Sequence, residues 1–501
     1  MSAAPQVETA GGRIEGARVA APDGTGLQRF LGIPYAAPPV GARRFAPPAP
    51  AAPWSGVRPA TRFGPAAPQS AGVASRLPSF SVTDGDEDCL TLNVWTPALD
   101  GARPVLVWLH GGAYLSGASA MAVFDGARLA AEGDVVVVTA NYRLGALGYL
   151  GFDGGDATVD AVANCGLRDQ HQALEWVAEH IAAFGGDPGR VTVFGESAGA
   201  GSVLHLAAGR RGPPVHRAIV QSGEPRTLTP ELAARVRAAL AVRLGIEATG
   251  IAQVDALRTV PVEALLDAQN AVFGELGLAT GLMPFHPTID DDLVDLDPIA
   301  AFAAGRASAL DLVIGNTRDE LRLFADPRAR DLTDDALLGM LGRLAGGQVD
   351  PGRILAAYRD GRPERTAADI WEAARTDAVL RVPALRVADA QVEAGGRAHV
   401  YRFDWEAPGI GAAHAVDVPF IFGTFDRDGW GDAVGADDRA QRLGRTIRDA
   451  WCTFAATGDP NHGGIPDWPA HDPATRPTLL LAAPCRLAHD PDGAARAVWM
   501  A

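Results

Sequence analysis

Through the first half of the chain, apolar residues gather into short, nearly unbroken runs separated by glycine, proline and polar turns. Leu90 to Trp95, Pro104 to Leu109, Val135 to Thr139, Val191 to Phe194 and Arg217 to Gln221 have strand length and little polar alternation, the pattern of buried strands. Between the third and fourth runs the period changes. Leu167 to Phe184 places apolar residues at 167, 174, 177, 181 and 184, the spacing of a helix, and Gly185 is its stop. Leu312 to Gly315 and Ala398 to Phe403 predict two later strands. Strands alternating with helical segments predict an α/β fold with a central, mostly parallel sheet and helices on both faces. Ligands of such sheets sit beyond the carboxyl ends of the strands.

The flanking regions read differently. Residues 12–45 contain short apolar runs broken by Pro and Gly, which predicts a small N-terminal antiparallel sheet and irregular loops. Ala46 to Trp54 is rich in Pro and Ala and reads as a packed surface loop, since no composition shift follows it. Residues 224–300 and 330–395 read as helical insertions covering the strand ends. Thr229-Pro230-Glu231 is a helix start, and Leu232, Val236 and Leu240 line one face up to Gly245. No internal repeat or long low-complexity tract interrupts the chain, so residues 1–501 are expected to form one domain.

Charge and cysteine usage narrow the functions. A formal net charge of −16 argues against nucleic acid and anionic membrane surfaces as partners. All 44 basic residues are arginine, which reads as coding bias more than chemistry. The N-terminus has no basic patch followed by an apolar stretch, so no signal peptide is expected. The longest apolar runs are too short to span a bilayer. Cys89, Cys165, Cys452 and Cys485 are scattered without metal-ligand spacing and read as free thiols. The expected location is cytoplasmic.

Three strand ends carry polar chemistry: His110-Gly-Gly-Ala-Tyr114, Gly195-Glu-Ser-Ala-Gly199 and Gln221-Ser-Gly223. The second lies between a strand and a helix of small residues, the context of a nucleophile elbow with Ser197 at its tip. A serine hydroxyl is nearly inert at neutral pH and needs a base, an acid that orients the base, and amide donors for the developing oxyanion. The amides of Gly112, Ala113 and Ala198 are the candidate donors. Of eleven histidines, those on helical segments, such as His171, His180 and His205, read as packing or surface residues. His414, in the Gly-rich loop after a late strand, is the candidate base, although an ordinary loop histidine would look the same. Asp319 and Glu320 both follow a strand end, and the residues alone do not choose between them.

The ordered set of motifs resembles the type-B carboxylesterase family, which includes bacterial para-nitrobenzyl esterases and, more distantly, cholinesterases. The resemblance runs from about Gly12 to Trp468. It includes Phe30 to Phe45, Glu87-Asp-Cys-Leu-Thr-Leu-Asn-Val-Trp95, His110 to Tyr114, Asn141-Tyr-Arg143, Asn164 to Gln170, and Phe184 to Gly199. Later it includes Arg318-Asp-Glu320, His414 to Gly423 and Trp451 to Asn461. It implies the α/β-hydrolase fold, with Ser197 as nucleophile, Glu320 as acid, His414 as base and Glu196 as an electrostatic tuning carboxylate. It further implies ion pairs Arg44–Glu87 and Arg143–Asp169. Secreted relatives pair the cysteine matching Cys89 with one upstream, and here no upstream cysteine exists. Cholinesterases place a tryptophan in that upstream loop. Here Phe80 is the only aromatic between Phe63 and Trp95, which argues against choline esters.

The expected activity is hydrolysis of carboxylic esters of small molecules through an acyl-enzyme, with no metal or organic cofactor required by the chemistry. The same triad would serve carbamates, amides or lactones, and the loops around 64–86 and 270–290 are expected to shape the leaving-group pocket. A non-catalytic binding protein on this fold is the rival from another class, and it would lack Ser197 or His414. The sequence leaves the oligomeric state, monomer or homodimer, open.

Overall fold

The computed structural model describes residues 3–500 apart from 71–76, 78–81, 83–84, 153–160, 278–282, 326–330, 361 and 363. Phe80 and parts of the loops expected to shape the pocket therefore lie outside the described residues. A small sheet joins β1 (Gln6–Thr9), β2 (Gly12–Glu15) and β5 (Val57–Pro59). The large sheet contains β3 (Ala17–Ala20), β4 (Gly26–Pro34), β6 (Thr91–Thr96), β7 (Arg103–Leu109), β8 (Val136–Ala140), β9 (Gly186–Glu196) and β10 (Arg217–Gln221). It is completed by β11 (Asp311–Thr317), β12 (Arg397–Phe403), β13 (Pro477–Leu481) and β14 (Arg486–His489). Across the sheet the order is β14-β13-β12-β11-β10-β9-β7-β8-β6-β4-β3. Every pairing from β13 to β8 is parallel, and the pairings outside that run are antiparallel.

The run of buried apolar residues has a simple cause. Successive side chains of a strand point to opposite faces. Val105, Val107 and Leu109 of β7 enter one core with Val136 and Val138, while Leu106 and Trp108 enter the other with Val137. In the second core Trp108 meets Phe194, Phe124 and Phe422 at ring-centroid distances of 4.8, 5.1 and 5.0 Å. Each such pair contributes about 0.5–1.5 kcal/mol beyond the area it buries.

Helix Cys165–His180 with its terminal turn Ile181–Phe184 matches the expected one, and Gly185 closes it at φ 77°. The N-terminal region differs from expectation. β4 belongs to the large sheet, because it feeds both cores: Phe30 and Ile33 enter one, Leu27 and Leu31 the other. The small sheet is not wholly antiparallel, since β5 adds to β2 in parallel.

Both helical stretches are present. Pro230–Arg243, Gly250–Thr259 and Val262–Val272 form the first, and Gln269 of the last accepts a 2.7 Å bond from the Ala146 amide. Asp334–Leu344, Pro351–Arg359, Ala367–Thr376 and Val382–Glu393 form most of the second. The first three of these build a separate apolar cluster with the C-terminal helix Gly493–Met500.

Two ion pairs tie loops to this frame, the part-buried Arg44–Glu87 and the fully buried Arg143–Asp169. Arg44 grips Glu87 through Nε and Nη2 at 2.7 and 2.5 Å. Arg143 grips Asp169 at 2.8 and 2.7 Å, and its Nη1 donates to the Ala46 carbonyl. Removing one partner of the fully buried pair strands a buried charge, at a cost of about 3–5 kcal/mol. No helix of the described residues is long and apolar enough to cross a membrane, and all four cysteines are free.

Candidate active site

The ends of β7, β9, β10, β11 and β12 deliver the site. β9 lies between β7 and β10, and the chain turns from Glu196 through Ser197 into helix Ala198–Ala208. Ser197 itself takes the left-handed value φ 56°, with ψ −123°, a conformation costing about 1–3 kcal/mol in a residue with a Cβ. The turn persists because its surroundings leave no alternative. The Ser197 amide donates to the Gln221 carbonyl at 2.9 Å, and a Cβ on Gly199 would stand 2.0 Å from the Leu109 carbonyl oxygen. The glycines here permit close approach, while the strained torsion sits on the serine.

Gly112 and Ala113 follow β7, and Ala113 has φ 56°. The amides of Gly112, Ala113 and Ala198 donate to no other group among the described residues. Helix Ala198–Ala208 directs its N-terminus at the same place, where its dipole favours negative charge.

The acid side comes from further along the chain. β11 ends at Thr317, and the turn beginning at Glu320 buries that carboxylate completely. Glu320 Oε2 accepts from His414 Nδ1 at 2.5 Å. Its Oε1 accepts from the Ser222 hydroxyl at 2.5 Å and the Thr317 amide at 2.7 Å. A carboxylate can only accept, so this contact places a proton on Nδ1 and leaves Nε2 as the other ring atom. His414 Nε2 stands 3.1 Å from Glu196 Oε1, without the alignment of a hydrogen bond. The Ser197 hydroxyl makes no hydrogen bond among the described residues.

Glu196 is buried beneath Gly111, where a Cβ would stand 2.7 Å from its Oε2. Burial pushes the Glu196 carboxyl up to about 8, against the attraction of His414. Burial alone would lower the His414 imidazole, but the Glu196 and Glu320 carboxylates outweigh it and hold the ring up to about 9. The two titrations are linked: a proton on Glu196 favours neutral His414, and a charged Glu196 favours the imidazolium.

Some neighbours escaped the sequence reading. Ser222 was visible only as part of a strand end, and its bond to Glu320 requires φ 55° at a residue whose amide pairs with Gly315. Buried Asp417 accepts from Gln221 Nε2 at 3.1 Å, and burial pushes its carboxyl up to about 6. The sequence signal for it was only its place three residues after His414. Phe324 lays its ring 5.6 Å from that of His414. His180 and His205 behave as packing residues: their Nδ1 atoms lie 2.9 and 2.7 Å from the carbonyls of Trp176 and Gly201. A cavity of about 610 Å³ lies elsewhere, lined by Arg318, Asp319, Arg322, Arg381 and Asp492 among others, and none of Ser197, Glu320 and His414 borders it.

Comparisons with known proteins identify the family. A sequence profile of the carboxylesterase family matches residues 3–499. The para-nitrobenzyl esterase of Bacillus subtilis is 38% identical over 481 residues, covering 94% of each chain. The phenmedipham hydrolase of Pseudarthrobacter oxydans is 37% identical over 478 residues, covering 90% of this chain and 91% of its own. A solved thermophilic para-nitrobenzyl esterase superposes with a TM-score of 0.87 at 36% identity, covering 99% of this chain and 100% of its own. Its α/β-hydrolase fold is the one seen here. With the profile spanning nearly the whole chain, and with relatives matched over nine-tenths of their length, this protein belongs to the carboxylesterase family and is a carboxylic-ester hydrolase.

Proposed function

We propose that Ser197, His414 and Glu320 act as nucleophile, base and acid in the hydrolysis of small-molecule carboxylic esters. The observation that carries this reading is the 2.5 Å contact of buried Glu320 with His414 Nδ1, beside a serine lifted on a strained turn. His414 Nε2 takes the Ser197 proton as Oγ attacks the ester carbonyl. The amides of Gly112, Ala113 and Ala198 receive the tetrahedral oxyanion, and their uncommitted N–H groups support that role. His414 then returns the proton to the departing alcohol. Water, deprotonated by the same ring, attacks the acyl-enzyme and releases the acid. Glu196 tunes the ring through its charge. Nothing in this sequence of steps calls on a metal or organic cofactor, and the four free thiols support a cytoplasmic setting.

The test is Ser197→Ala assayed on a para-nitrophenyl ester. Activity should fall by about four to six orders of magnitude with the melting transition preserved. A variant retaining most of its activity overturns the assignment. The similarity to a protein named phenmedipham hydrolase makes the acyl range the next quantity to establish. A screen of carbamates, amides and lactones measures that range.

A further inference from the structure

Asp319 and Glu320 are neighbours in sequence but face different ways. Glu320 reaches His414, whereas Asp319 reaches the loop that brings His414 in. The Asp319 amide donates to the Ala412 carbonyl at 2.8 Å, and the Ala412 amide donates back to Asp319 Oδ2 at 3.2 Å. On either side, the Arg318 amide donates to the Phe403 carbonyl at 2.9 Å and the His414 amide to the Glu320 carbonyl at 3.2 Å. The fit is close: Gly411 has φ 66°, and a Cβ there would stand 2.8 Å from Asp319 Oδ2 and 2.7 Å from Arg322 Nη1. Arg318 Nη2 donates to the same Oδ2 at 2.8 Å, and Arg322 Nη1 lies 3.8 Å away. These two cations orient the Asp319 carboxylate without consuming its contact to Ala412.

We propose that Asp319 is a positioning residue, whose reciprocal bonds with Ala412 fix the acid turn and the histidine loop at the separation that the Glu320–His414 contact requires. The proposal rests on the triad reading above. Asp319 touches no reacting atom. It acts because a contact of 2.5 Å between groups on two loops tolerates little relative movement, and small misplacements of this kind lower rates by up to about a hundredfold. The carboxylates facing His414 are Glu196, Glu320 and Asp417. Withdrawing Glu320 removes one of the charges favouring the imidazolium, so loss of the clasp also moves the acid limb of the pH profile to lower pH.

The experiment compares wild type, Asp319→Ala, Asp319→Asn, Gly411→Ala and Ser197→Ala on a para-nitrophenyl ester. It records kcat, KM, the pH profile and the melting temperature of each. For Asp319→Ala the expected result is a kcat lower by about ten- to a hundredfold, KM within about twofold of wild type, and an acid limb displaced downward. Asparagine keeps an oxygen for the Ala412 amide, so Asp319→Asn should recover most of the lost kcat. Gly411→Ala, which forces the same loop away without altering a charge, should repeat the Asp319→Ala pattern and carries the test if that variant does not fold. The proposal is overturned by an unchanged kcat in Asp319→Ala, by a loss of melting temperature with the acid limb in place, or by Asp319→Asn as impaired as Asp319→Ala. Retained activity in Ser197→Ala would instead overturn the triad reading.

Discussion

Ser197 and the Glu320–His414 pair meet at one end of the sheet, yet they are held there by different means. The serine turn is compact in sequence and is enforced by backbone crowding. Gly199 packs against the Leu109 carbonyl, and the Ser197 amide is tied to Gln221. The acid and histidine stand 94 positions apart; the Ser222 hydroxyl donates to Glu320, and Asp319 accepts from the Ala412 amide of the histidine loop. Crowding is unforgiving but local. Hydrogen bonds between distant loops are individually weaker and depend on each other.

This difference sets the size of what substitutions should do. The largest effect belongs to the serine turn. Gly199→Ala drives a methyl into the Leu109 carbonyl at 2.0 Å, and should cost about 3 kcal/mol of stability as well as activity. Denaturant titration measures the first and the ester assay the second; a variant of normal stability would show that the turn can relax. On the hydrogen-bonded side, Ser222→Ala leaves Glu320 Oε1 with the Thr317 amide as its remaining donor. A bond to a charged group contributes about 1.5–3 kcal/mol, so kcat should drop by about ten- to a hundredfold with KM little changed.

The electrostatic effect is smaller. In the proposed mechanism only neutral His414 can accept the serine proton, and the two carboxylates, outweighing burial, raise its pKa above 6.5 to about 9. Activity should therefore be full above the His414 pKa and be lost as pH falls through it, with a midpoint above 6.5. Glu196→Gln removes one of the raising charges and should displace that midpoint downward by about one unit, read from kcat/KM against pH. The smallest effect is expected at Glu406, the exposed second partner of Arg318. Glu406→Ala should alter stability by under about 0.5 kcal/mol, because Asp319 still holds the guanidinium. A larger change in melting temperature would place Glu406 within the clasp.

The same contrast explains what could be read in the sequence. The strand, turn and helix around Ser197 were legible because every element of that device is consecutive and its small residues mark the crowding. Asp319 and Glu320 could not be separated by their own pattern, since both follow one strand end and differ only in which way the turn directs them. It took the resemblance to choose Glu320. Ser222 and Asp417 carried no periodic or compositional mark, since their partners come from elements far away in the chain. The N-terminal region misled for another reason. Pro and Gly breaks around Phe30 to Val40 suggested short local pairing, but Leu27, Phe30, Leu31 and Ile33 are buried on both sides of the large sheet. β5 follows the Pro/Ala-rich stretch Ala46 to Trp54, and no local signal announces its pairing with β2.

The three uncommitted amides of Gly112, Ala113 and Ala198 have a consequence for spectroscopy. An N–H group with no internal acceptor exchanges with solvent readily, even inside a well-ordered frame. In the free enzyme these protons should exchange fast while their neighbours in β7 and β9 stay protected. If the proposed roles hold, a boronic acid that closes on Ser197 gives all three an anionic oxygen at once. Their joint slowing in an amide-exchange spectrum would then report occupancy of the oxyanion position directly, without any turnover.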